Sequence, residues 1–367
     1  MTNDEIVKLA VAKAYQLGIQ VTPVLPVVEG PRLLYFGLTP VGSTSVSRVE
    51  ALASDFAVAL HVEDVLVKRM PGQGVVGVFV PRAEPTILRW QALMARPEAL
   101  NHGFAIPLLL GVDWQGRVFM DDLAKCPHLL IAGSTGGGKS VLLRSLAATI
   151  VHSVNSNAVK LVLSDTKGVE FTDLVAAPNL LYERATNPMR TIEYLDELCK
   201  ETDARLRIFG ELGYRNIQEY NEANPTSPTP YIVVMIDELA DIVYLPSNKR
   251  GTQYIGAEKL DYISRKSRAA GIHCIAAVQR PSVDVVAGVI KNNFPARLSF
   301  RMASAVDSRV VLDTEGAEHL LGVGDCLYKS PNMPGLHRVH TGIASTKDIQ
   351  AVLQFVNFKH EQARLNQ

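Results

Sequence analysis

Apolar residues first recur at helical spacing. Ile6, Leu9, Ala10, Ala14 and Leu17 form one stripe, which predicts a helix over residues 4–18. RLLYFGLTP, DVLVKRM and VVGVFVPR are short runs rich in branched and aromatic residues, and they predict strands. SRVEALASDFAVAL (47–60) and PTILRWQALMAR (85–96) carry helical spacing instead. Together these elements predict a small α+β domain over residues 1–103. IPLLLGVDWQGRVFMDDL then predicts a hairpin turning around Asp113–Gly116.

The pattern changes after residue 128. HLLIAG, KLVLSD, YIVVMID, HCIAAVQ and ARLSFRM are almost continuously apolar, and helical stretches separate them. Continuous apolar strands imply a sheet covered on both faces, and strand–helix alternation implies mainly parallel strands. The second domain, residues 104–367, is therefore expected to be α/β. NEANPTSPTP (221–230) predicts a loop before the third of these strands.

The loop after HLLIA carries the first chemistry. GSTGGGKS fits G-x-x-x-x-G-K-[ST] with Gly133, Gly138, Lys139 and Ser140, between a predicted strand and a predicted helix. Glycines let consecutive N–H groups turn toward phosphate oxygens, and the following helix adds its positive end. The expected nucleotide contacts are Gly133, Ser134, Thr135, Gly136, Gly137, Gly138, Lys139, Ser140 and Val141. Lys139 is expected to reach the β- and γ-phosphates and Ser140 to ligate Mg2+. A second glycine pattern, GQGVVG (72–77), runs into VFVPR rather than a helix, so it reads as a hairpin turn and not as a dinucleotide site.

YIVVMIDEL ends an apolar strand in two acids. Asp237 is expected beside the phosphate loop on the Mg2+ side, and Glu238 is expected to polarise an attacking water. That glutamate favours hydrolysis over transfer to a small-molecule acceptor, since a kinase excludes water. Gln279 ends the next strand as a candidate γ-phosphate sensor. Arg280 and Lys291 follow as candidate contacts to a nucleic-acid backbone. A ring motor also needs an arginine that reaches a neighbour's nucleotide, and Arg205, Arg207, Arg265, Arg268 and Arg309 compete for that role.

Composition adds bounds. The 367 residues are 47% hydrophobic and 20% charged with formal net charge zero, which suits a globular protein and neither requires nor excludes a local basic channel. Cys126, Cys199, Cys274 and Cys326 lie far apart, as reduced thiols do. HRVH (337–340) lacks zinc-site spacing. With no long apolar run and no basic, compact leader, the expectation is a cytoplasmic chain with no membrane insertion.

PHLLIAGSTGGGKSV, PYIVVMIDELADI, the stretch from SRKSRAAGIH to SRVVLD, and GAEHLLGVGDCLYKS resemble the FtsK/SpoIIIE family of double-stranded DNA translocases. The resemblance covers roughly residues 20–345. It implies a RecA-like P-loop ATPase domain preceded by an α-type domain, with ATP and Mg2+ as cofactors. It also implies a homo-hexameric ring that hydrolyses ATP at subunit interfaces and moves double-stranded DNA. QRPSVDVVAGVIKNN is similar to a pore segment that touches DNA, and Arg205 falls where the wider superfamily places its finger. Ala204 stands where the family usually pairs a second arginine, and Gly137 stands where relatives often carry serine. Without a membrane region or a γ domain, the expectation is a minimal soluble motor. Two other readings remain open: a conjugation or secretion motor acting on single-stranded DNA or protein, and a P-loop scaffold that does not translocate.

Overall fold

The computed structural model describes residues 1–365 apart from Pro71, 245–254, Arg280 and 282–287. Arg280, expected on the DNA-facing loop, lies outside the described residues. The chain divides into two compact units, Met1–Leu88 with Val112–Arg117, and Arg89–Gly111 with Val118–Gln367.

The first unit is built on α1 (Asn3–Gln16), β1 (Val21–Glu29), β2 (Leu33–Pro40), α2 (Val46–Glu50), α3 (Ala53–Ala59), β3 (Leu66–Met70) and β4 (Val75–Pro81). Thr2 starts α1 with a reciprocal cap: its hydroxyl accepts from the Glu5 N–H, and the Glu5 carboxylate accepts from the Thr2 N–H. The helix buries Ile6, Val7, Ala10 and Ala14, while Leu9 and Leu17 of the expected stripe are exposed. The strands form an antiparallel sheet in the order β1-β2-β4-β3, and its core gathers Phe36, Leu38, Phe56 and Val78. Gly72 and Gly74, both at positive φ, lie in the turn of the β3–β4 hairpin, and Gly77 lies within β4.

Two details differ from expectation. The 47–60 helix is split into α2 and α3. In addition, β1 carries Pro23 and Pro26, which argue against a strand; it holds the sheet edge, where a missing N–H costs no ladder bond.

The second unit begins with α4 (Trp90–Met94) and α5 (Pro97–Leu100). The expected helix over 85–96 is thus reduced to one short turn. Trp90 donates from its indole to Thr149 at 2.9 Å, which ties α4 into this unit and not into the 1–103 domain of the sequence expectation.

There follow β5 (Pro107–Asp113), β6 (Val118–Asp122), β7 (His128–Ala132), α6 (Lys139–Ser153), β8 (Val159–Ser164), α7 (Pro188–Glu211), α8 (Ile217–Ala223) and β9 (Tyr231–Ile236). The remainder is α9 (Leu239–Val243), α10 (Ile255–Lys266), β10 (Ile272–Val278), α11 (Gly288–Asn293), β11 (Ala296–Phe300), α12 (Ala305–Leu312), β12 (Asp325–Ser330), β13 (Met333–His340) and α13 (Thr346–Leu365).

The nine strands run β6-β5-β13-β12-β11-β7-β10-β9-β8. The five from β11 to β8 are parallel, whereas β12 and β13 pair antiparallel. Every residue of β7 and β10 is buried, as strands covered on both faces require. The carboxyl ends of β7, β8, β9 and β10 emerge along one edge, where open α/β sheets bind ligands. The phosphate loop follows β7, Asp165 follows β8, Asp237 and Glu238 follow β9, and Gln279 follows β10.

Candidate nucleotide site

Residues 133–138 connect β7 to α6. Gly138 is the N-cap of α6 with φ 119°, and no side chain caps the helix, so its first N–H groups remain available to an anion. The glycines answer to a ring as well as to a ligand. A Cβ on Gly133 would lie 2.7 Å from the Phe300 Cβ, and one on Gly138 would lie 3.0 Å from the Phe300 Cε1. Phe300, fully buried at the end of β11, is the floor of the loop. Ser134 bonds the Arg301 carbonyl through its N–H (3.4 Å) and hydroxyl (3.3 Å), and Gly324 donates to the Gly137 carbonyl at 3.2 Å. That second brace belongs to a turn fixed by Asp325, a fully buried carboxylate that accepts from Leu321 N–H and from Arg338.

Lys139 is buried, and its Nζ donates back to the Gly133 (2.5 Å) and Ser134 (3.0 Å) carbonyls. Burial lowers its pKa to about 8. Ser134, Thr135 and Gly136 are exposed at the loop's tip, and Val141 is half-buried in the first turn of α6. A cleft beside them is lined by Ser134, Thr135, Gln279, Pro281, Met302 and Ala303, which brings Gln279 to the loop.

The acids reach the loop from two strands away, because β10 lies between β7 and β9. The Asp237 Oδ1 accepts from the Thr166 N–H at 3.3 Å, while its Oδ2 is buried with no partner among the described residues. Burial pushes this carboxyl up to about 6, against the Thr166 N–H and with help from Asp165 and Asp241. An orphaned buried carboxylate oxygen together with the Ser140 hydroxyl fits a hard, oxygen-ligated cation such as Mg2+. Glu238 is held at both oxygens: Oε1 accepts from the Gln279 N–H at 3.4 Å, and Oε2 lies 3.6 Å from the Lys167 ammonium.

Two residues that the sequence reading passed over complete the site. Lys167 and Glu170 sit on one loop after β8, and Glu170 accepts the Ser140 hydroxyl at 2.7 Å. Their signal was positional: SDTKGVE follows a parallel strand whose carboxyl end opens on the same edge.

Other expectations do not converge here. Arg205 is buried, with Nη1 donating to the Pro230 (2.7 Å) and Ala270 (3.0 Å) carbonyls and Nε to Glu201. It fastens α7 to the starts of β9 and β10. Lys291 is paired with Asp313 at 2.6 Å. His340 lies 3.3 Å from Asp325 in the buried ion cluster, all four cysteines are buried and free, and no metal-ligating cluster occurs among the described residues. No described helix is long and apolar enough to cross a membrane.

Residues 3–82 match the FtsK alpha domain, and residues 92–283 match the FtsK/SpoIIIE family. The DNA translocase FtsK of Helicobacter pylori strain J99 is 36% identical over 337 residues, covering 91% of this chain and 39% of that protein. The Streptococcus pneumoniae protein of the same name is 36% identical over 363 residues, covering 96% of this chain and 46% of its own length. The chain thus spans less than half the length of these relatives. Among solved structures, the ATPγS-bound monomer of the pCW3 conjugation coupling protein TcpA aligns with TM-score 0.67 and 22% identity, covering 96% of this chain and 99% of its own. The cytoplasmic domain of the type VII secretion ATPase EccC from Thermomonospora curvata aligns with TM-score 0.59 and 23% identity, covering 73% of this chain and 32% of its own. At those identities the likeness is one of fold, a P-loop ATPase core. With both of its matched regions in order along the sequence, the chain belongs to the FtsK/SpoIIIE family.

Proposed function

We propose that the chain is an ATP-driven motor that moves along double-stranded DNA as a homo-hexameric ring. The carrying observation is the meeting, at one sheet edge, of an uncapped phosphate loop and two successive acids with different environments. Asp237 has an oxygen free for a cation, and Glu238 is held at both oxygens beyond it. When bound, Mg2+ supplies charge neutralisation for the transferred phosphoryl group, with Ser140 and Asp237 as its holders. Lys139 exchanges two loop carbonyls for phosphate oxygens, which are stronger acceptors for an ammonium. Glu238 accepts a proton from the attacking water. Gln279 lines the cleft beside the loop, which supports its reading as the γ-phosphate sensor.

The finger role passes from Arg205 to an exposed arginine. Arg207 and Arg268 are exposed and have no ion-pair partner among the described residues, whereas Arg265 is tied to Asp261 and Arg309 to Glu315. Lys291 contacts the DNA backbone by exchanging Asp313 for a phosphate, so binding is salt-dependent and tolerant of sequence. Phosphate release from ATP, measured with linear duplex, single-stranded DNA or peptide, tests this reading. Duplex alone should stimulate turnover. Stimulation only by single strands or peptide, or by nothing, refutes it.

A further inference from the structure

The Ser140–Glu170 contact fixes a proton. A hydroxyl has one proton and two lone pairs, and an ionised carboxylate only accepts. At 2.7 Å, Ser140 therefore donates to Glu170 and keeps both lone pairs for another partner.

Glu170 is itself held through its own main chain. Asp165, fully buried, accepts from the N–H groups of Val169 (3.1 Å), Glu170 (3.0 Å) and Phe171 (3.1 Å), and pairs with Arg184 at 2.6 Å. Gly168 makes the turn at φ 75°, and the fully buried Phe171 anchors its far end. Such a loop is a rigid mount.

We propose that Glu170 is the positioning residue of Ser140: it locks the hydroxyl rotor so that the oxygen's lone pairs face the cation of a bound nucleotide. The inference rests on reading the site as one for ATP with Mg2+. Partners of this kind, which act through a ligand, typically change metal affinity about 10–100-fold when removed. Lys139 also feels the Glu170 charge, so the hydrogen bond must be separated from the charge. Glutamine at 170 keeps an acceptor oxygen and drops the charge; alanine drops both, and methionine fills the space without an acceptor.

The test is equilibrium titration of the whole chain with a fluorescent ATP analogue, in Mg2+ and in EDTA. Glu170→Ala and Glu170→Met should each weaken binding about 10-fold in Mg2+ while changing affinity in EDTA less than about twofold. Glu170→Gln should recover most of the loss. In a Ser140→Ala background, removing Glu170 should cost nothing further. Equal loss with and without Mg2+, no loss in Mg2+, or a Glu170→Gln as weak as Glu170→Ala overturns the proposal. A wild-type chain whose affinity ignores Mg2+ contradicts the nucleotide reading instead.

Discussion

Arg205 is 6% exposed, and its replacement by alanine removes a guanidinium that closes three hydrogen bonds. The bond to Glu201 adds little, because that carboxylate is 46% exposed. The bonds to the Pro230 and Ala270 carbonyls matter more. Each is a charge-assisted bond of roughly 1.5–3 kcal/mol, and truncation leaves the acceptors without a donor. Allowing for some water at the half-buried Pro230, Arg205→Ala should destabilise the chain by about 3–4 kcal/mol. Arg205→Lys retains the charge without the planar fork and should fall between the two. Urea unfolding followed by circular dichroism measures both. Nucleotide affinity of the folded fraction should stay at the wild-type level, since Pro230 precedes β9 and the acids follow it, roughly 20 Å along a six-residue strand. An Arg205→Ala chain with wild-type stability and abolished turnover would refute this reasoning and restore Arg205 as the trans-acting arginine.

The other predictions concern the loop and its supports. Gly137 lacks a positive φ, and a Cβ there would meet the Ser134 carbonyl at 3.1 Å and Phe300 at 3.3 Å. Gly137→Ser should therefore cost about 1 kcal/mol, or roughly fivefold in ATP affinity, whereas Gly138→Ala, at positive φ against Phe300, should lose binding; equal tolerance would contradict this. Lys139 in the free site has a pKa of about 8, and a bound polyphosphate raises it, so nucleotide binding should take up protons increasingly from pH 7 to about 9. Calorimetry in buffers of different ionisation enthalpy reads that uptake, and none at pH 8.5 would be the wrong result. Burial alone would raise the Asp325 carboxyl, but Arg338 and His340 outweigh it and hold it well below the ordinary range. With the folded pKa depressed, its stabilisation is complete above about pH 4, the unfolded value, and declines as pH falls further. Asp325→Asn should flatten that acid limb in thermal melts recorded from pH 5 to 2.

Legibility from the sequence followed how local the cause was. The phosphate loop reads directly, because GGGKS between a strand and a helix is demanded by backbone geometry within a few residues. Asp237 and Glu238 read from the end of an apolar strand. Lys167 and Glu170 did not, because their meaning depends on sheet order: β8 is the far parallel strand, and only the crossover places its loop against Ser140 and Glu238. Phe300 was hidden for the same reason, being a core residue whose shape dictates the glycines opposite. The setting of Arg205 is not legible, because an arginine on a helix looks the same in sequence whether it faces solvent or two strand-starting carbonyls. The β1 edge strand was missed because its prolines argue against a strand anywhere but at an edge.

Displacement of a third strand from a triplex on linear duplex DNA tests the central claim most directly. The wild-type chain should displace it with ATP and Mg2+, and Glu238→Gln should bind ATP and DNA yet leave the triplex intact. A wild-type chain that hydrolyses ATP on duplex DNA without displacing the strand, or a Glu238→Gln chain that displaces it, would contradict the account.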